Sequence, residues 1–135
     1  KLSRTAAREL AFELIFEWSF RDEPIEDIMN DAVDARQVEN DAFARETACG
    51  TIEHLSEIDE VISAHLKGWT IKRLSRVALS VLRLSVYEIL YTDVPDSVSI
   101  NEAVELAKKF GGDDDASYIN GVLGAIVRGR EGESS

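Results

Sequence analysis

A line of basic and aromatic side chains runs along the most apolar stretch of the chain. Residues 71–92 include neither Gly nor Pro, so the composition of this stretch allows one helix. At about 100° per residue, apolar side chains cover most of its circumference. One side differs in carrying Arg73, Arg76, Ser80, Arg83, Tyr87 and Tyr91. This line predicts either a bridge to acidic neighbours or a surface for an anionic partner.

Arg83 in this line has two open interpretations. Glu88, Glu102 and Glu105 are acidic candidates for an internal ion pair with its guanidinium group. The alternative is a contact between Arg83 and RNA. We expect the ion pair to be the better account.

The charge of the chain is unevenly distributed. The net charge of −11 argues against non-specific binding to nucleic acid. Residues 22–66 carry thirteen acids and two arginines, whereas residues 67–92 carry five basic residues and one glutamate. We therefore expect a localised basic face, with Lys72 and Arg76 among its phosphate contacts.

The first predicted helix runs from Ser3, as N-cap, to about Phe20. Arg4 and Arg8 continue its core face beyond the end of the core, where two guanidinium groups could reach a ligand. A second apolar stripe consists of Phe12, Phe16 and Phe20. It predicts either packing within the chain or a docking face for another protein.

Two glycines interrupt the last predicted helix. Gly121 and Gly124 each cost about 1 kcal/mol relative to alanine in a helix interior. Close approach of another helix would explain them, and so would a backbone that lies near a ligand. Tyr118 and Asn120 stand beside them and suit an unpaired RNA base, by stacking and by hydrogen bonding.

No set of residues predicts catalysis, a metal site or a cofactor. His54 and His65 are too far apart for one helical metal site, and the run 113–115 lacks the spacing of a calcium loop. Cys49 has no paired histidine and suits a small core position. A single cysteine and the lack of a long apolar segment favour the cytoplasm rather than a membrane. We expect a binding protein and not an enzyme.

The remaining pattern predicts an all-α fold of about seven helices in two small bundles, residues 1–55 and 56–130, with a frayed tail at 131–135. Ser56 is the predicted N-cap of the fourth helix and Gly68 its C-cap. Ser99 and Glu102 have the spacing of a capping box, which predicts that Ser99 opens the sixth helix. The last helix is expected over about 116–128.

Three stretches of sequence resemble the bacterial transcription antitermination factor family NusB. They are R-T-A-A-R-E-L-A from residue 4, L-R-L-S-V-Y-E-I-L from residue 82, and S-I-N-E-A-V-E-L-A-K from residue 99 followed by Y-I-N-G-V-L from residue 118. The order and spacing of these pieces are highly specific, and the resemblance runs nearly end to end.

The resemblance implies two partners. One is the small-subunit ribosomal protein that doubles as NusE, and the other is the single-stranded boxA element of nascent transcripts. It also implies that the complex assembled on the RNA modifies RNA polymerase so that the polymerase ignores terminators. It further implies roles for three sets of residues: Arg4 and Arg8 at RNA, Tyr118 at RNA, and Phe16 near the protein partner. The alternatives are a protein-interaction module whose RNA contacts come mostly from its partner, and a homodimeric scaffold.

Overall fold

The computed structural model describes residues 2–134, with side chains through residue 130, and its regular elements in that range are all helical. The prediction of an all-α fold with seven α-helices is confirmed. A short 3-10 turn at Ile71–Arg73 precedes the fifth helix. The α-helices are α1 Arg4–Trp18, α2 Ile25–Arg36, α3 Ala42–Glu53, α4 Leu55–Ala64, α5 Arg76–Tyr91, α6 Asp96–Phe110 and α7 Asp113–Ser134.

Helix α5 lies at the centre and packs against α1, α3, α4, α6 and α7. Its apolar side chains are buried on several sides; Val81, Leu82 and Val86 have no exposed surface. One cluster of buried apolar residues joins all seven helices. The division into bundles at residues 55 and 56 therefore stays a prediction, because helices from both halves share that cluster.

The predicted helix over 71–92 is shorter than expected. Ser75 has extended backbone angles, φ −63° and ψ 156°, and its hydroxyl accepts a hydrogen bond from the Ala78 N–H at 3.0 Å. This serine therefore caps α5, and the residues before it form the 3-10 turn. The turn leaves Lys72 and Arg73 exposed beside the helix.

One of the four predicted caps is confirmed and the other three are wrong. Ser3 caps α1, as predicted. Ser56 is not a cap, because α4 begins one residue earlier, directly after His54 ends α3. Ser99 is not a cap either: α6 already begins after Pro95, and Ser99 is buried. The C-cap of α4 is His65 and not Gly68, which has a positive φ of 71° in the following turn.

Helix α7 is longer than predicted at both ends. It begins at Asp113, which has two further acids in its first turn, where the helix dipole favours negative charge. It continues to Ser134, so most of the predicted tail lies within the helix. Lys1 and Ser135 lie outside the described residues. Of the helices described, none is long and apolar enough to cross a membrane.

Candidate nucleic-acid and partner interface

Arg8 is an internal residue and does not face solvent. Its side chain is 3% exposed, and its Nε lies 2.9 Å from Oε2 of Glu88, which is 1% exposed. Nη1 lies 3.6 Å from Oε1 of Glu102. Burial raises the pKa of the Glu88 carboxyl, and the Arg8 guanidinium opposes that shift. The expectation that Arg8 projects past the core is therefore corrected, because its charge is used to neutralise a glutamate inside the fold.

Arg4 is exposed, but its surroundings are acidic. Its guanidinium carbon lies 4.1 Å from the centre of the Phe43 ring, a cation–π contact. The same residues line a cavity of about 590 Å³ with Glu39, Asp41 and Glu46. These carboxylates lower the local affinity for a phosphate group, so Arg4 is a weak candidate for RNA contact.

The polar line on α5 bridges mainly to α4. The Nε and Nη2 of Arg83 donate to the two carboxylate oxygens of Asp59, both at 2.9 Å. Tyr91 donates to Oε1 of Glu57 at 2.6 Å, and this hydrogen bond raises the pKa of Tyr91 to about 12. The internal ion pair of Arg83 is confirmed, although its partner is Asp59 and none of the glutamates named from the sequence.

A cleft with two aromatic rings lies between the α4–α5 connection and α7. The rings of Trp69 and Tyr118 have centroids 6.3 Å apart with an interplanar angle of 56°. Trp69 is 50% exposed. Arg73 lines the cavity of about 340 Å³ on one side of Tyr118, and Lys67 lines the cavity of about 360 Å³ on the other. We call these four residues the Trp69–Tyr118 cleft.

Cations in the Trp69–Tyr118 cleft are available to a ligand. Neither Lys67 nor Arg73 makes an ion pair within the described part of the chain, and both are exposed. Two acids of the first turn of α7, Asp114 and Asp115, line the same cavity as Arg73. The cleft therefore combines stacking surface with positive charge, and the acids limit how many phosphates it can hold.

Tyr118 and Asn120 do not act on the same cavity. Tyr118 is half-buried, its hydroxyl has no hydrogen-bond partner within residues 2–134, and burial raises its pKa. Asn120 is exposed and does not line either cavity beside Tyr118. Residues two apart on a helix point to different sides, so the predicted pair is separated.

Gly121 and Gly124 of α7 do not serve close helix packing. A Cβ at Gly121 would meet nothing within 4 Å, and one at Gly124 would meet only the Arg128 side chain, at 3.2 Å. The first of the two explanations is therefore wrong. Gly121 instead forms the open wall of the cavity that also contains Lys67, which is consistent with a ligand near the backbone.

Lys72 and Arg76 lie on the other side of the 3-10 turn. They line a separate cavity of about 550 Å³ and not the cavities beside Tyr118. The Arg76 guanidinium stacks on the Phe20 ring at 4.3 Å and donates a hydrogen bond to the Ser19 carbonyl. The structure therefore does not bring Arg76 together with Tyr118.

Phe12 and Phe16 of α1, together with Phe20 just beyond its end, form one wall of an apolar groove, since α1 ends at Trp18 and not at the predicted Phe20. Phe12 is buried and packs on Phe110 at 4.9 Å, Phe16 is half-buried, and Phe20 is 59% exposed. The groove measures about 550 Å³ and includes Val77 of α5. Phe12 confirms the interpretation of packing within the chain, whereas Phe20 leaves apolar surface open at the groove mouth. We call this the phenylalanine groove.

Sequence reasoning did not single out Trp69 or Lys67 as candidate site residues, and it named Arg73 only as part of the polar line. Trp69 follows Gly68, and a tryptophan in a glycine turn between basic residues is a signal of an exposed aromatic contact. In the described residues, no group of three or more His, Cys, Asp and Glu side chains is placed to hold a metal ion.

Comparison with known proteins identifies the family. The NusB family model matches residues 5–128. The transcription antitermination protein NusB of Thermoanaerobacter sp. (strain X514) is 38% identical over 138 residues, 99% of each chain. T. maritima NusB has a TM-score of 0.85 and 38% identity, covering 95% of this chain and 92% of that one. A structure of antitermination factors NusB and NusE in complex with dsRNA has a TM-score of 0.83 and 30% identity, covering 93% and 96%. This chain belongs to the NusB family.

Proposed function

We propose that this chain is a transcription antitermination factor that binds RNA together with a small-subunit ribosomal protein acting as NusE. The similar protein from Thermoanaerobacter is named for antitermination, and the similar solved structure contains NusE and RNA. One observation of this chain carries the proposal. In a protein of net charge −11, Trp69 and Tyr118 form an aromatic cleft flanked by cations that make no ion pair within the described residues.

The proposed RNA contacts combine one or two stacked bases with few phosphate contacts. Trp69 and Tyr118 offer ring faces to an unpaired base, which is worth about 1–3 kcal/mol per base. Lys67 and Arg73 supply the adjacent positive charge. A single-stranded element such as boxA suits this arrangement, because its bases are free to leave the stack.

The proposed protein partner occupies the phenylalanine groove. Its open side is apolar at Phe20, and its rim carries Glu13, whereas Glu17 on the same rim is already paired with Arg21 and Arg36. A ribosomal protein is rich in basic residues, so one of its cations would face Glu13 while an apolar side chain fills the groove. The partner would also add positive surface that this acidic chain lacks, which raises the affinity of the complex for RNA.

The proposed activity is binding and not catalysis. The complex on boxA would join RNA polymerase and change its response to terminators, and it would do so in the bacterial cytoplasm, where transcripts are made. A homodimer through the phenylalanine groove would be an inactive alternative, since it would cover the surface proposed for the partner.

Fluorescence anisotropy with boxA RNA, with and without the ribosomal protein, tests this proposal. We expect weak binding by the chain alone and a gain on adding the partner. Phe20→Ala should remove that gain without changing the weak binding, whereas Val98→Ala, which truncates another exposed apolar residue, should change neither. No RNA binding with the partner present would overturn the proposal.

A further inference from the structure

The cavity that contains Lys72 has a wall of unusual composition for an acidic protein. Four of its lining side chains are cationic, Arg21, Lys72, Arg76 and Arg83, and none is a carboxylate. It lies between the C-terminal end of α1, the 3-10 turn and the start of α5, and measures about 550 Å³. We call it the Lys72 cavity.

The four cations of the Lys72 cavity differ in how many ion pairs and hydrogen bonds they already make with other residues. Arg21 forms ion pairs with Glu17, Glu23 and Asp31, which raise its pKa above the usual range. Arg83 is held by Asp59 through Nε and Nη2, which leaves Nη1 without a partner in residues 2–134.

The other two cations have no carboxylate partner. Lys72 is exposed and makes no ion pair within the described chain, and Arg76 is held only by the Ser19 carbonyl and the Phe20 ring. Two full charges therefore face the cavity without neutralisation.

A buried hydroxyl adds a second, independent observation. Ser80 is part of the cavity wall and is 1% exposed, yet its Oγ has no hydrogen-bond partner in the described chain. An unpaired buried hydroxyl destabilises the fold relative to a paired one, because it has lost its hydrogen bonds to water. An oxyanion in the cavity would supply the missing acceptor at the same place where the cations are concentrated.

We propose that the Lys72 cavity binds a phosphate group, carried either by an RNA strand or by a free nucleotide. Lys72, Arg76 and the free Nη1 of Arg83 supply charge-assisted hydrogen bonds, and Ser80 supplies a neutral donor. This site lies apart from the Trp69–Tyr118 cleft, and only its RNA source rests on the proposed function. Arg76 also touches Phe20, so an occupied cavity would hold one wall of the phenylalanine groove in place.

Isothermal titration calorimetry of the full chain with inorganic pyrophosphate at low salt tests the site. We expect saturable binding of one pyrophosphate per chain. Lys72→Gln should weaken it about tenfold, as expected for one lost charge-assisted hydrogen bond. Lys108→Gln removes the same charge from an exposed lysine of α6, outside both the Lys72 cavity and the Trp69–Tyr118 cleft, and should change the affinity less than twofold.

Ser80→Ala separates binding from folding. It should weaken pyrophosphate binding and leave the melting temperature unchanged or higher, because it removes a buried unpaired hydroxyl. Absence of saturable binding by the parent protein, or equal losses in the two lysine variants, would overturn the proposal.

Competition identifies the source of the phosphate. Displacement of pyrophosphate by a boxA oligonucleotide, lost in Lys72→Gln, assigns the site to the RNA strand; displacement by ATP alone assigns it to a nucleotide. Trp69→Ala should leave pyrophosphate binding intact. Failure of the antitermination proposal is therefore visible separately, as loss of RNA binding with the pyrophosphate site retained.

Discussion

The two basic segments of this chain differ in whether their cations are paired within the protein or exposed to solvent. At the start of α1, Arg8 is buried against Glu88, and Arg4 lies over Phe43 beside three carboxylates. Between α4 and α5, Lys67 and Arg73 stay exposed and make no ion pair within the described residues. The first segment therefore stabilises the protein, and the second is available to a ligand.

This difference shows that the availability of a cation depends on the charges around it and not on its place in a motif. A buried guanidinium must keep its carboxylate, because the desolvated charge is costly without it. An exposed cation in a turn is solvated by water and therefore does not need a carboxylate partner. Four variants test this difference between the two segments.

Arg8→Met should have the largest effect, on stability. It leaves Glu88 buried without a counter-charge, so we expect a loss of about 3–5 kcal/mol in the free energy of unfolding. Urea titration followed by circular dichroism measures it. Arg83→Met is the matched control, because its pair with Asp59 is partly exposed and should cost only about 1 kcal/mol. Equal losses in the two variants would remove the distinction between a fully buried pair and a partly exposed one.

Trp69→Ala should have the next largest effect, on RNA affinity in the presence of the partner. Loss of one stacked base is worth about 1–3 kcal/mol, so the dissociation constant should rise between about fivefold and about 150-fold. Stability should change little, because half of the side chain is exposed. Trp18→Phe, which alters the other tryptophan while keeping a ring, is the control. Unchanged affinity in Trp69→Ala would argue against the cleft.

Arg73→Gln should reduce the salt dependence of RNA binding by one phosphate contact. On a single strand this lowers the slope of log affinity against log salt by about 0.7. A salt series of anisotropy titrations gives the slope. Arg45→Gln, at a partly exposed arginine bonded to Asn30 and Asn40, should leave the slope unchanged. Equal reductions of the slope in both variants would contradict a phosphate contact by Arg73.

Arg4→Gln should have the smallest effect. We expect an RNA affinity within twofold of the parent, because Glu39, Asp41 and Glu46 share its cavity. The cation–π contact with Phe43 is worth about 0.5–1 kcal/mol of stability at an exposed site. The same anisotropy and urea titrations measure both quantities. A strong loss of RNA affinity in Arg4→Gln would contradict this expectation and would indicate that the start of α1 contacts RNA.

The sequence was sufficient for most of the fold because local signals agree with the packing. Ser3 and Asp41 act as caps where a hydroxyl or carboxylate precedes an apolar run. It failed where two caps compete: Ser99 has capping-box spacing, yet Pro95 already starts α6 and Ser99 is buried near Glu88. Which signal prevails depends on the neighbouring helix, and a single sequence does not contain that packing.

The candidate site was less predictable, for a reason of charge pairing. Arg8 has the same residue type as Arg4 one turn earlier, and only the position of Glu88, 80 residues away, separates their roles. Tyr118 was predicted from its place beside the glycines of the last helix and again from the family resemblance, whereas the contact of Trp69 with Tyr118 depends on how α7 packs beside the turn after α4. Contacts between distant parts of the chain decided each of these cases.

The most direct test of RNA binding at the Trp69–Tyr118 cleft uses the two tryptophans of this chain. In a proton–nitrogen correlation spectrum, each indole N–H gives one signal, and Trp69→Phe assigns them. On titrating boxA RNA into the complex with the ribosomal partner, we expect the Trp69 signal to shift in proportion to bound RNA. A Trp69 signal that stays in place while RNA binds would contradict the assignment of the Trp69–Tyr118 cleft as the RNA site.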